Sequence, residues 1–129
     1  MAAKDRASGP RAQLPRRGVD VLHRVAQQSG VGFLLRETAI PIAPVVTAAC
    51  EFLGLDPLYS ANEGKLVAVC PPEDAERLLG AMRRHPLGLR AASIGVCVAD
   101  DNHFVQMETR LGGRRVVDWL SGEQLPRIC

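Results

Sequence analysis

The chain ends on a cysteine, Cys129, at the tip of the stretch SGEQLPRIC, residues 121–129. No helical or strand period runs through that stretch, and Gly122 and Pro126 interrupt both, so the sequence predicts a movable arm. At roughly 3.3 Å per residue the arm reaches about 30 Å when fully extended, and a thiol at its tip can visit more than one site. A thiolate is a soft nucleophile, able to accept an acyl-type group and to release it later. Arg127 lies two residues before it, on the same side of an extended chain. There it either favours the thiolate against the terminal carboxylate or stays solvated. A prenylation signal is excluded, because its cysteine lies fourth from the end.

The other chemistry-bearing residues are dispersed. Cys50, Cys70 and Cys97 form no CxxC and no close Cys/His pair, so no metal site is expected. These three read as packing residues, Cys70 and Cys97 because they sit inside apolar runs. Reduced cysteines without a secretory signal imply a cytoplasmic setting. His23, His85 and His103 lack partners at catalytic spacing and read as surface or helix-end residues, while Tyr59 and Trp119 read as core or edge aromatics. Glu63, in Asn62-Glu63-Gly64-Lys65, is by its own pattern a solvated loop acid or a helix cap.

Positioning any of these requires a domain. A chain of 129 residues, 47% apolar, suits one compact unit with a real core. Sixteen basic and fourteen acidic residues leave a net charge of +2, which gives no sustained pull towards nucleic acid or membrane. Residues 1–17, with scattered Arg and Lys among Ala, Gly and Pro, read as a disordered leader. Residues 18–120 then read as the domain and 121–129 as the tail.

Val21, Leu22, Val25 and Ala26 put a narrow apolar stripe on a helix that Ser29 and Gly30 can end, and VGFLLR follows as a strand. After Pro41 and Pro44, Val45, Ala49, Phe52 and Leu53 repeat at helical spacing up to Gly54, predicting a helix that covers a sheet. KLVAVC (65–70), apolar on both faces, predicts a central strand, and SIGVCV (93–98) a second one. Between them PPEDAERLLGAMRRH has prolines and acids at its start and bases at its end, which complements a helix dipole, with Ala75, Leu78, Leu79 and Met82 on one face. Asp100, Asp101 and Asn102 predict a hairpin turn into HFVQMETR, and Gly112-Gly113 a second turn into RRVVDW. The order of elements gives an α+β fold, a mixed sheet with packed helices.

The tail GEQLPRIC ending on the terminus, with LGLDPLYSANEGKLVAV, PPEDAERLL, HPLG and GGRRVVDWL in that relation, closely resembles the C-terminal domain of the HypE hydrogenase expression/formation proteins. The resemblance runs from about Arg17 to Cys129 and extends to the wider family of aminoimidazole ribonucleotide synthetases and selenophosphate synthetases. It implies a PurM C-terminal-domain-like, three-layer α/β/α sandwich. It also implies that Cys129 accepts a carbamoyl group from the carbamoyltransferase HypF. ATP then drives dehydration to a thiocyanate, and the cyanide passes to iron on the HypC–HypD scaffold of [NiFe]-hydrogenase maturation.

By the same resemblance Glu63 takes the place of the family's base, and Asn62, Lys65 and Arg17 stand on the substrate and phosphate side. The family's Asp-Pro/Ala-Thr-Arg-Gly-Gly stretch is here Leu14-Pro15-Arg16-Arg17-Gly18-Val19. The ATP-binding N-terminal domain, with its lysine and its magnesium-binding acids, has no counterpart in these residues, so no cofactor is expected for this chain alone. Three readings follow. One is part of an ATP-dependent dehydratase that needs an ATP domain from elsewhere, another a carrier or docking module without ATP-dependent activity, the third a structural remnant; a separate ATP domain or a homodimer is the assembly expected.

Overall fold

The computed structural model describes residues 18–60 and 64–118. Helix α1 (Gly18–Ser29) opens the domain and stops at Gly30, whose φ of 67° lets the Val31 amide turn back to the Ala26 carbonyl. Its buried residues are Val19, Leu22, His23 and Ala26. The helix is therefore rotated from the predicted stripe: Val21 and Val25 lie at its margin, while Val19 and a histidine turn inwards.

Strand β1 (Gly32–Arg36) is the pivot of the sheet. It pairs antiparallel with β2 (Gly95–Val98) and parallel with β3 (Val105–Glu108). The latter pairs antiparallel with β4 (Arg114–Val116), giving the order β2-β1-β3-β4. Side chains alternate along a strand, so Phe33 and Leu35 face the same way as Val105 and Met107, with Val117 just beyond β4. Those five meet Val19, Leu22 and Ala26 of α1 in a single core. The result is the α+β arrangement that the element order implied, a mixed, open sheet with helices.

Two expectations about the sheet require correction. The turn at Asp100 reverses the chain as predicted, with the Asp100 carboxylate accepting from the Asn102 and Phe104 amides at 3.0 and 3.2 Å. The strands on either side are not a hairpin, however, because β1 lies between them. Local turn chemistry fixes a reversal, not which strand fills the neighbouring place. Lys65–Cys70 forms no strand: Gly64 stands at φ 74° on one side and Pro71 on the other, and Leu66 and Val69 are 76% and 56% exposed. Only Val67 packs on the core. An apolar run names no ladder partner, and the central position belongs to β1, which is paired on both edges.

Helix α2 (Pro44–Leu53) starts on Pro44 and closes at Gly54 with φ 66°, as its sequence dictates. Its apolar stripe points outwards all the same, with Val45 75%, Phe52 90% and Leu53 58% exposed. Cys50 is the side chain it buries, and its main neighbour is the 3-10 turn Pro57–Tyr59. Helix α3 (Ala75–Arg83) follows a 3-10 turn at Pro72–Asp74 and turns Leu78, Leu79 and Met82 to its half-covered side. The β3–β4 hairpin turns at Gly112, φ 84°, as predicted.

Two glycines make opposite predictions. At Gly95, opposite Leu35, an added Cβ would meet the Leu34 carbonyl oxygen and come 2.8 Å from the Leu35 Cα. Backbone cannot swing aside as a side chain can, so Gly95→Ala is expected to destabilise the domain by about 1–3 kcal/mol. At Gly80 in α3 nothing lies within 4 Å, and Gly80→Ala should stabilise by about 0.4–1 kcal/mol. Chemical denaturation of the two variants checks both signs together.

Candidate functional site

Of the residues marked as a site in the sequence, Lys65 falls in the described part. It is exposed and follows Gly64. That glycine is needed for its positive φ, not for close approach, since nothing lies within 4 Å of a Cβ built on it. Arg17, Asn62, Glu63, Arg127 and Cys129 lie outside the described residues.

The segments bordering them are described, and they converge. The loop that leads to Asn62 and Glu63 begins at Asp56, one of whose carboxylate oxygens accepts from the Leu58 amide at 2.9 Å and so starts the 3-10 turn Pro57–Tyr59. The other oxygen accepts from Arg115 Nη2 on β4 at 2.7 Å, a half-buried ion pair. The turn itself packs on α1, the helix that begins directly after Arg17, and Leu58 and Tyr59 reach the core. Tyr59 is thus a core-edge aromatic, as expected. On the third side, His23 of α1 meets Val117, the residue after β4 on the way to the tail. Its Nε2 is 2.7 Å from the Val117 carbonyl oxygen. A carbonyl can only accept, so Nε2 carries the proton.

Three segments far apart in sequence are therefore tied together: α1, the turn Pro57–Tyr59, and the chain at β4 and Val117. Sequence reading missed Asp56, Arg115 and His23, because partners 59 and 94 residues apart leave no spacing signal. His23 is no surface residue but is 8% exposed in the core face of α1. His85 does cap a helical turn, its Nδ1 accepting from the Leu87 amide. His103 occupies the turn before β3 at φ 56°. Among the three described cysteines Cys50 is buried, Cys70 half-buried and Cys97 exposed, so Cys97 does not fill the packing role expected of it. An open hollow of about 520 Å³ lined by Glu37, Glu51, Thr109, Arg110 and Leu111 lies past the C-terminal ends of the parallel strands β1 and β3, and Lys65, the expected site residue among the described ones, does not line it.

A mixed β2-β1-β3-β4 sheet with α1 on its core face defines an α+β domain. The chain belongs to the family of AIR synthase related proteins, C-terminal domain, whose model matches residues 19–108. It is 68% identical over 110 residues to the carbamoyl dehydratase HypE of Azotobacter vinelandii, an alignment covering 85% of this chain and 32% of that protein. Among solved structures it is similar to hydrogenase maturation protein HypE in complex with ATP, with TM-score 0.77, 45% identity, and coverage of 89% of this chain and 36% of that one. It is also similar to a chain of a HypE–HypF complex, with TM-score 0.74, 39% identity, and coverage of 81% and 34%. The chain thus spans about a third of the length of the curated relatives it matches.

Proposed function

We propose that this chain is the thiol-bearing part of an ATP-dependent carbamoyl dehydratase acting in [NiFe]-hydrogenase maturation. The observation that carries the reading is the 68% identity to a carbamoyl dehydratase HypE, combined with Cys129 in the stretch GEQLPRIC. In this reading residues 18–120 form the domain and 121–129 the carrying tail. The Cys129 thiolate takes a carbamoyl group delivered by HypF, the protein found with HypE in a solved complex. The amide oxygen then attacks the γ-phosphorus of ATP and releases ADP. One amide proton is lost as the oxygen is phosphorylated and the other passes to Glu63 as phosphate leaves, so Cys129 is left as a thiocyanate; two electrons from the HypC–HypD iron scaffold then carry the group to iron as cyanide and return the Cys129 thiolate.

Asn62, Lys65 and Arg17 line the approach of the activated amide, and Arg127 supports the thiolate. Lys65 is exposed. ATP and its magnesium are assigned to the further length of relatives such as HypE, which has been solved in complex with ATP. The outward face of α2, with Val45, Phe52 and Leu53, supports docking of such a part, a second copy being the other occupant. The described cysteines are all free thiols, in keeping with a cytoplasmic setting. Among the described residues no helix is long and apolar enough to cross a membrane.

The carrier reading, without dehydration, is favoured by one observation, the altered stretch Leu14–Val19. Intact mass separates the two. After incubation with HypF, carbamoyl phosphate and ATP, one carbamoyl adduct is expected on the chain. It should lose one water once a separate HypE ATP domain is added. An adduct that keeps its water leaves a carrier, and no adduct in either tube sinks both.

A further inference from the structure

We infer that the end of α3 and the turn after it, residues 83–90, form a docking surface for an acidic protein face with an apolar pocket; that this partner belongs to the carbamoyl route rests on the reading above. The stretch is Arg83-Arg84-His85-Pro86-Leu87-Gly88-Leu89-Arg90, exposed except at Met82 before it and Gly88 within it. Leu87 is 92% and Leu89 68% exposed. From Arg77 to Ala99 the sequence carries no Asp or Glu. Arg83 donates through Nε to the Ala91 carbonyl at 2.9 Å, and the side chains of Arg84 and Arg90 have no hydrogen bond or ion pair among the described residues. The leucines are held on a fixed backbone. The Gly88 amide donates to the His85 carbonyl and the Ala91 amide to the Gly88 carbonyl, both at 2.8 Å, while His85 Nδ1 accepts from the Leu87 amide at 3.2 Å. Gly88 lies so close to α3 that an added Cβ would overlap the Met82 carbonyl. The turn is thus set before any partner arrives, which lowers the ordering cost of binding.

The chemistry of the surface selects its occupant. Guanidinium groups without a carboxylate of their own call for carboxylates from elsewhere, which their planar fork binds in pairs. The two leucines between them need burial as well. A nucleic-acid backbone would meet the arginines and leave the leucines in water. A membrane surface takes up leucines along an amphipathic helix, whereas Leu87 stands on the single 3-10 turn Pro86–Gly88. A protein face satisfies both demands: an apolar pocket at its centre buries the leucines, and acidic residues on its rim meet Arg84 and Arg90.

The test titrates the full chain, fluorescently labelled at its N-terminus, with HypF and separately with the HypC–HypD scaffold, at low and high salt. One of the two should bind. Arg84→Glu with Arg90→Glu should weaken that binding about tenfold or more and remove most of its salt dependence, and Leu87→Ser with Leu89→Ser should weaken it about tenfold with the salt dependence kept. Arg110→Glu with Arg114→Glu makes the same change of charge on the β3–β4 hairpin and should cost less than about twofold. All six side chains are exposed, so the substitutions leave the core intact. The proposal is overturned if both charge-reversed chains lose affinity alike, if the variants of residues 84–90 lose none, or if neither protein binds the unaltered chain. Binding to phosphatidylserine vesicles or duplex DNA through these residues, with none to either protein, gives the surface to another kind of partner and overturns it as well. Intact mass keeps the two claims apart. A carbamoyl adduct without binding through residues 84–90 leaves the carbamoyl reading standing, and such binding without an adduct leaves the docking surface standing.

Discussion

Cys129→Ala is expected to abolish the carbamoyl adduct, and Cys129→Ser to leave at most a trace of it that never becomes a thiocyanate. Near neutral pH an ordinary cysteine is a few per cent thiolate and intrinsically very nucleophilic, whereas a serine hydroxyl is hardly ionised at all. The nitrile must also leave its carrier for a metal, and a soft sulfur releases it where an oxygen ester would not. The chain contains its own control. Cys97 is exposed on the edge strand β2, so simple accessibility of a thiol predicts an adduct there as well. Delivery by a specific transferase to a chain-end residue predicts modification at Cys129 alone. Peptide mapping of the modified chain decides between them, and label at Cys97 that survives in Cys129→Ala would show that the terminal cysteine is not the carrier.

How far the fold was legible depends on how local each signal was. The strands Gly32–Arg36 and Val105–Glu108, the proline start and glycine end of α2, and the Gly112 turn all follow from residues within a few positions of one another. What failed was everything that needed a partner from elsewhere. Lys65–Cys70 has strand composition but no ladder, and the stripe on α2 has helical spacing but faces outwards. The Asp100 turn was read as a hairpin because β1, from much earlier in the chain, fills the gap between β2 and β3. The first two errors leave apolar side chains uncovered, among them Leu66, Val69, Val45 and Phe52. The site divides likewise. Cys129 and Glu63 stood out through family motifs, whereas His23, Asp56 and Arg115 work through contacts that no linear pattern encodes.

Glu63→Gln should separate the two halves of the proposed reaction. The substitution keeps the shape of the side chain and removes its capacity to take a proton. Carbamoylation of Cys129 by HypF should proceed at the normal rate, and loss of water in the presence of the ATP domain should fall by roughly 10²–10⁴, the usual worth of a positioned general base. Glu63→Asp, with the carboxylate drawn back by one methylene, should fall between. Gly64→Ala tests position without touching the carboxylate. Its φ of 74° is unfavourable for any residue with a Cβ by about 1–2 kcal/mol, while open space around it means that no clash adds to the cost. The loop is expected to relieve that strain by shifting Glu63, slowing dehydration with little effect on unfolding of the sheet. Lys65→Met, at an exposed neighbour, should matter less than either. Quenched-flow mass analysis of pre-formed adduct gives all four rates on one scale. If Glu63→Gln dehydrates as fast as the unaltered chain while Gly64→Ala is slow, the loop holds the substrate and the base lies elsewhere, in the ATP-bearing partner.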